Sequence, residues 1–160
     1  MPTLLPANSA HHETCAVALT AGMLGLHCGI MYAVDAEPRQ ILHLRWHLEL
    51  VSEVVPSEGW FLVPSALKRV QKAAVITRAA LVAARHRDGS VPYGFGLEGV
   101  HVLDDGTIEM EGGIGVTCAA LIQVICASVR VPLLYVPSWD EQSSPARKKE
   151  DADGGDPNST

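Results

Sequence analysis

Residues 26–50, LHCGIMYAV-DAEPRQ-ILHLRWHLEL, decide the fold. The first block, Leu26 to Val34, is short and apolar and suits a buried strand. Asp35 to Gln40 gathers charges and Pro38 and reads as a turn. Ile41 to Leu50 then alternates. Leu42, Leu44, Trp46, Leu48 and Leu50 form one apolar face, while Ile41, His43, Arg45, His47 and Glu49 form the other. Period two with one apolar face predicts a single half-buried strand over 41–50, with Trp46 in the core. The two strands and their turn predict an antiparallel hairpin. His27 opens its first strand, and His43 and His47 share the polar face of its second.

Upstream, Cys15 to Val34 is almost free of charge and long enough for a membrane span. Gly22, Gly25, Gly29 and His27 interrupt it, so it reads as buried core. Residues 1–13 carry Pro, Ser and the pair His11-His12 without apolar periodicity and read as a flexible leader, without the basic segment of a signal peptide. Downstream, Val51 to Val63 reads as loop and extended chain. Pro64-Ser65 is expected to open a helix that ends between Arg85 and Gly89. Leu67, Val70, Ala74, Val75, Ala79, Leu81 and Val82 fall near helical spacing, with Lys68, Arg69, Lys72 and Arg78 as a solvated face.

Ser90 to Gly99 is a Pro/Gly loop. Asp105-Gly106 between two short apolar runs signals a hairpin over Val100 to Met110. Gly112, Gly113 and Gly115 lead into an apolar helix over Val116 to Val129, which Pro132 terminates. A last strand is expected over Leu133 to Val136. Residues 141–160 are charged, rich in Ser, Pro and Gly, and read as a disordered tail. The folded domain is therefore placed at residues 14–140.

A chain of 160 residues suggests one domain. With 48% hydrophobic and 19% charged residues it can bury a core without metal or disulfide staples. Cys15, Cys28, Cys118 and Cys126 are therefore read as free thiols, which points to a reducing, cytoplasmic compartment. No CxxC pair suggests structural zinc. The net charge of −6 and the lack of a basic patch argue against nucleic acid as a partner.

Residues 113–121, GIGVTCAAL, carry the chemistry. A glycine-rich approach delivers Cys118 to the first turn of a helix. Unpaired amides and the positive end of the helix dipole favour a thiolate there. The same amides suit an oxyanion once that thiolate attacks a carbonyl. Locally, a small apolar residue in a buried helix fits equally well. Cys126 lies mid-helix and reads as core. A thiol nucleophile needs a base and an orienting partner. No histidine follows His101, so the candidates are His27, His43, His47, His86 and His101. Two histidines on paired strands can form such a couple. A metal site of His27, His43, His47 and Cys118 is the weaker alternative. His43 and His47 imitate half of an HExxH motif, lack its glutamate, and sit on an expected strand.

The run HCGIMYAV at 27–34, followed after a turn by ILHL at 41–44, resembles the paired-histidine hairpin of lecithin:retinol acyltransferase-like proteins. These are circularly permuted members of the NlpC-type papain-like superfamily. The order His, His, Cys is the family's order. The resemblance implies an α+β, papain-like fold, with an antiparallel sheet packed on the helix that bears the nucleophile. It implies Cys118 as nucleophile, His27 as base and His43 as the orienting third member. Val91-Pro92-Tyr93-Gly94 before the glycine-rich helix is similar to the NlpC-type peptidases and implies that Tyr93 lines the site. His47 shares the polar face of His43 and is an alternative third member, and His47 and Thr117, which precedes the nucleophile, are expected with Tyr93 to bind substrate. The acyltransferases' Asn-Cys-Glu-His motif and the peptidases' Asp before Cys are replaced by Val116-Thr117-Cys118-Ala119. That run resembles bacterial proteins of this arrangement.

The function so implied is a cysteine hydrolase (peptidase or amidase) or acyltransferase with a Cys-His-His site. It would act on a peptide, amide or acyl substrate, with no cofactor, no metal and no membrane span. The alternative is a catalytically inactive papain-like module that binds a protein partner.

Overall fold

The computed structural model describes residues 4–7, 9, 12–22, 25–88, 90–95, 98–113, 115–131 and 133. Among them the chain is α+β, built on a six-stranded sheet, a two-stranded ribbon and two α-helices. The sheet strands are β1 (Leu5–Pro6), β2 (Cys15–Gly22), β3 (Gly25–Tyr32), β4 (Gln40–Trp46), β5 (Glu49–Val54) and β6 (Trp60–Pro64). They lie in the order β1-β6-β2-β3-β4-β5, and every pair is antiparallel. The helices are α1 (Arg69–Arg85) and α2 (Cys118–Ser128). The ribbon pairs β7 (Val100–Val102) with β8 (Ile108–Met110) around Asp105-Gly106.

The uncharged run from Cys15 is a hairpin, with Cys15 opposite Tyr32 and Gly22 opposite Gly25. Its alternation is hidden because both faces are covered, which turns a strand into a continuous apolar run. On one face Ile30, Leu42, Leu44 and Leu50 pack with Val75, Ala79 and Val82 of α1 and Leu121, Ile122 and Ile125 of α2. On the other, Ala16, Ala18, Met31 and Ile41 pack with Trp60 and Leu62.

Residues 41–50 do not form one strand. β4 ends at Trp46, His47-Leu48 turns the chain, and β5 begins at Glu49. Leu48 takes a left-handed φ of 59° there. A register shift between Leu44 and Trp46 absorbs the extra residue, so Leu44 and Leu50 still face each other. No Gly, Pro or Asn marks this turn, and the alternation runs straight through it. Trp46 is consequently 57% exposed and not in the core. Val51 to Val63 is also more regular than expected, since β5 runs to Val54 and β6 inserts between β1 and β2.

α1 begins at Arg69, because Pro64 still belongs to β6. Arg78 is buried instead of solvated. Its guanidinium donates to the Leu103 carbonyl and pairs with Asp104 at 2.7 Å, tying α1 to the ribbon. The leader is not loose throughout. Leu5–Pro6 pairs with β6, Ala7 is buried, and Glu13 meets Lys72 at 2.8 Å. His11, Pro132, the strand expected to end at Val136 and the tail at 141–160 fall outside the described residues, save Leu133. Among the described residues no helix is long and apolar enough to cross a membrane.

Candidate active site

Thr117 caps α2 in an extended conformation, its hydroxyl accepting from the Ala120 amide at 3.0 Å. Cys118 is therefore the first helical residue, where free amides and the dipole favour negative charge. Three hydrogen-bonded contacts bring this helix start to the histidine hairpin. The Leu48 amide in the β4–β5 turn donates to the Val91 carbonyl at 3.0 Å, and the Tyr93 amide donates to His47 Nδ1 at 3.2 Å. Tyr93 then bridges Val116 in parallel, with the Val116 amide donating to the Pro92 carbonyl at 3.0 Å. Gly115 permits that approach, since a Cβ on it would lie 2.4 Å from the Pro92 oxygen.

β3 and β4 pair only through Ile30–Leu42, Met31–Ile41 and Tyr32–Gln40. Among the described residues the β3 segment from Gly25 has no strand partner on this side beyond those pairs, while β2 holds its other edge. Register places Cys28 on the helix face with Ile30, and His27 on the opposite face with Met31 and His43. The open ladder lets Cys118, coming from the helix side, reach both residues.

The Cys28 thiol donates to Cys118 Sγ across 3.5 Å. His27 Nε2 lies 2.7 Å from His43 Nδ1, and His43 Nε2 lies 3.2 Å from Glu53 Oε1. Gly29 makes room for this pair, because a Cβ there would meet the Leu42 oxygen at 2.7 Å and His43 Cβ at 2.9 Å. The ring of Trp60 stands edge-on to both imidazoles, 5.9 Å from His27 and 5.2 Å from His43 between centroids. Arg45 holds Glu53 from its other oxygen at 3.0 Å.

These contacts fix the tautomers. An ionised Glu53 only accepts, so His43 Nε2 donates to it and His43 Nδ1 accepts from His27 Nε2. His27 Nδ1 is left for the cysteine. Burial and the neighbouring His27 both lower the pKa of His43, which keeps it neutral as this chain of bonds requires. The Cys118 thiol is held down at about 4, chiefly by the hydrogen bond from Cys28, then by His27, with the Cys28 amide adding a further bond against the cost of burial. Cys28 is pushed far in the opposite direction, because its proton sits in the bond to Cys118.

Cys118, His27 and Tyr93 line one open cleft of about 390 Å³, with Leu26, Arg45 and Trp46 around them. Tyr93 stacks on Trp46 at 6.1 Å between ring centroids. His43 lies behind His27 and 3% exposed. His47 sits in the turn, its ring engaged by the Tyr93 amide and not by His27. The Thr117 hydroxyl is committed to the helix cap. His86 accepts from the Ile108 amide at 3.1 Å and serves the ribbon. Cys15 and Cys126 are buried, which pushes their thiols up to about 11 and about 12. Among the described residues no three His, Cys, Asp or Glu side chains are grouped to hold a metal ion.

Glu53, Cys28 and Trp60 were not legible as site residues. Glu53 shares a strand face with Val51 in a segment whose sequence reads as loop and extended chain, and nothing local sets Cys28 apart from the other three cysteines. The residues next to His27 on the opposite face of its strand were the only available hint. Comparison with family models, curated proteins and solved structures finds no match to the chain.

Proposed function

We propose that the chain is a thiol hydrolase or acyltransferase with a Cys118–His27–His43 site on a permuted papain-like, NlpC-type fold. The observation that carries this reading is the hydrogen-bonded series from His27 through His43 to Glu53, which ends on a cleft that His27 shares with Cys118. The Cys118 thiolate attacks an acyl carbon of a peptide, amide, thioester or ester. The first-turn amides of α2 face the oxyanion that develops. His27 returns its proton to the leaving group, and water or another acceptor, deprotonated by His27, releases the acyl group. His43 and Glu53 position His27 and touch no substrate. Free thiols fit a reducing, cytoplasmic setting.

An activated acyl ester such as p-nitrophenyl acetate tests the reading. A burst of nitrophenolate with an acetyl group mapped to Cys118 is expected. The burst should vanish in Cys118→Ser and slow in His27→Ala. Labelling spread over other residues, or a burst that survives Cys118→Ser, defeats the proposal.

A non-catalytic partner-binding module is the second reading. It is favoured by the apolar rim of the cleft, where Leu26 is 78%, Trp46 57% and Phe95 90% exposed. A partner that binds Cys118→Ser as tightly as the unaltered chain, with no turnover of any acyl probe, would select it.

A further inference from the structure

Cys28 is a half-buried thiol that acyl transfer does not consume. Its sulfur lies 3.5 Å from Cys118 Sγ, on a strand 90 residues away in sequence. Both cysteines are free. We propose that Cys28 is a resolving thiol: after a peroxide oxidises Cys118, Cys28 closes a reversible Cys28–Cys118 disulfide that blocks the cleft.

The two steps balance. The Cys118 thiolate attacks one peroxide oxygen, an S–O bond forms, and the O–O bond breaks. The other oxygen leaves as hydroxide or alkoxide and takes up a proton. Cys118 is now a sulfenic acid, oxidised by two electrons, and the peroxide is reduced. The Cys28 sulfur then attacks the sulfenic sulfur. The S–S bond forms, the sulfenic hydroxyl departs with the Cys28 proton as water, and no further oxidant is needed. A dithiol reductant restores both thiols by exchange.

The placement of the thiolate orders these steps. Cys118 lines the site cleft, whereas Cys28 faces a separate apolar cavity of about 500 Å³ beside Val17, Leu19 and Ile122; peroxide reacts with Cys118 first because the thiolate sits there at the helix start. The sulfurs need to close from 3.5 Å to the roughly 2.05 Å of a disulfide, a side-chain movement. Charge supports the same order. The Cys28 proton is held first by its bond to the Cys118 thiolate, then by burial and by the negative charge. Converting Cys118 to a neutral sulfenic acid removes both the bond to a thiolate and the charge and leaves only burial holding the Cys28 proton, so Cys28 becomes easier to ionise when its attack is required. The inactivation rests on the hydrolase reading, whereas the disulfide rests only on the two sulfurs.

The test uses the full, reduced chain, treated with hydrogen peroxide in more than two-fold molar excess because a sulfinic acid consumes two peroxides, then alkylated and mapped by mass spectrometry. The expected product is a Cys28–Cys118 linked peptide, reversed by dithiothreitol, with Cys28 and Cys118 lost to alkylation at the same rate. In Cys28→Ala, Cys118 should instead advance to a sulfinic acid that dithiothreitol does not reverse. In Cys118→Ser, Cys28 should stay alkylatable. A wild-type chain whose Cys118 reaches sulfinic acid while Cys28 stays alkylatable overturns the proposal, as does a linkage between Cys15 and Cys126 or between two chains. If the link forms in a chain that hydrolyses no acyl probe, the redox pair stands and the hydrolase reading falls.

Discussion

Replacing Cys28 with Ala should raise the titration midpoint of Cys118 while leaving it a thiolate at neutral pH. Cys118 is held at about 4, and the hydrogen bond from Cys28 is the largest cause. A hydrogen bond to a charged group contributes roughly 1.5–3 kcal/mol. One pKa unit corresponds to about 1.36 kcal/mol, so losing that bond moves the midpoint up by about one to two units. The half-buried sulfur lines an open cleft, and screening favours the lower figure. The His27 contact and the Cys28 amide remain in the variant, which keeps the midpoint below 7. The assay is the rate of iodoacetamide alkylation, mapped to Cys118, across a pH series. The unaltered chain should reach its plateau before neutrality. Cys28→Ala should show a displaced midpoint with a similar plateau, and His27→Ala should also be displaced. A wild-type midpoint near an ordinary thiol's value of about 8.5 would refute the reasoning outright. An unmoved midpoint in Cys28→Ala would refute the role of the sulfur–sulfur bond.

Glu53→Gln replaces an acceptor-only carboxylate with an amide that can also donate to His43 Nε2, so the His43 tautomer is no longer fixed. It should lower kcat on the acyl ester by about 10- to 100-fold, less than the 10²–10⁴ a general base itself supplies, with KM unchanged because Glu53 does not line the cleft. A matching rise in KM would mean that Glu53 contacts substrate. Gly115→Ala forces a Cβ to 2.4 Å from the Pro92 oxygen and 2.5 Å from the Tyr93 carbonyl carbon. We expect a loss of about 1–3 kcal/mol in urea denaturation together with slower alkylation of Cys118, and an unchanged midpoint would show that the Tyr93 bridge is dispensable. Stability should also follow pH through Cys118. Its folded-state pKa of about 4 lies below its ordinary 9.0, so its contribution is complete above pH 9 and is lost as pH falls towards 4. The stability difference between the unaltered chain and Cys118→Ser should therefore shrink over that range, and a flat difference would contradict a thiolate held by the folded chain.

Much of the framework was legible because it depends on short-range chemistry. The apolar block at Leu26 to Val34 and the charged turn after it do form paired strands β3 and β4. Asp105-Gly106 does turn a ribbon, and the approach through Gly115 does end at a capped helix whose first residue is Cys118. Each of these is decided within a few residues by side-chain periodicity, a left-handed glycine or a capping hydroxyl.

What stayed hidden depends on how distant segments meet. Alternation could not show that His47-Leu48 turns, because a bulge beside Trp46 restores the facing of Leu44 and Leu50. That turn removes His47 from the face of His43 and gives its ring to the Tyr93 amide. Nor could any local pattern show that β3 and β4 stop pairing beyond Ile30 and Leu42. By itself the sequence determined the β3–β4 hairpin, the ribbon around Asp105-Gly106 and the place of Cys118 at a helix start. The tertiary structure alone decided which imidazole and which second sulfur that cysteine meets. Backbone preference is set by near neighbours, whereas strand register and the gap in a ladder come from packing over the whole sheet.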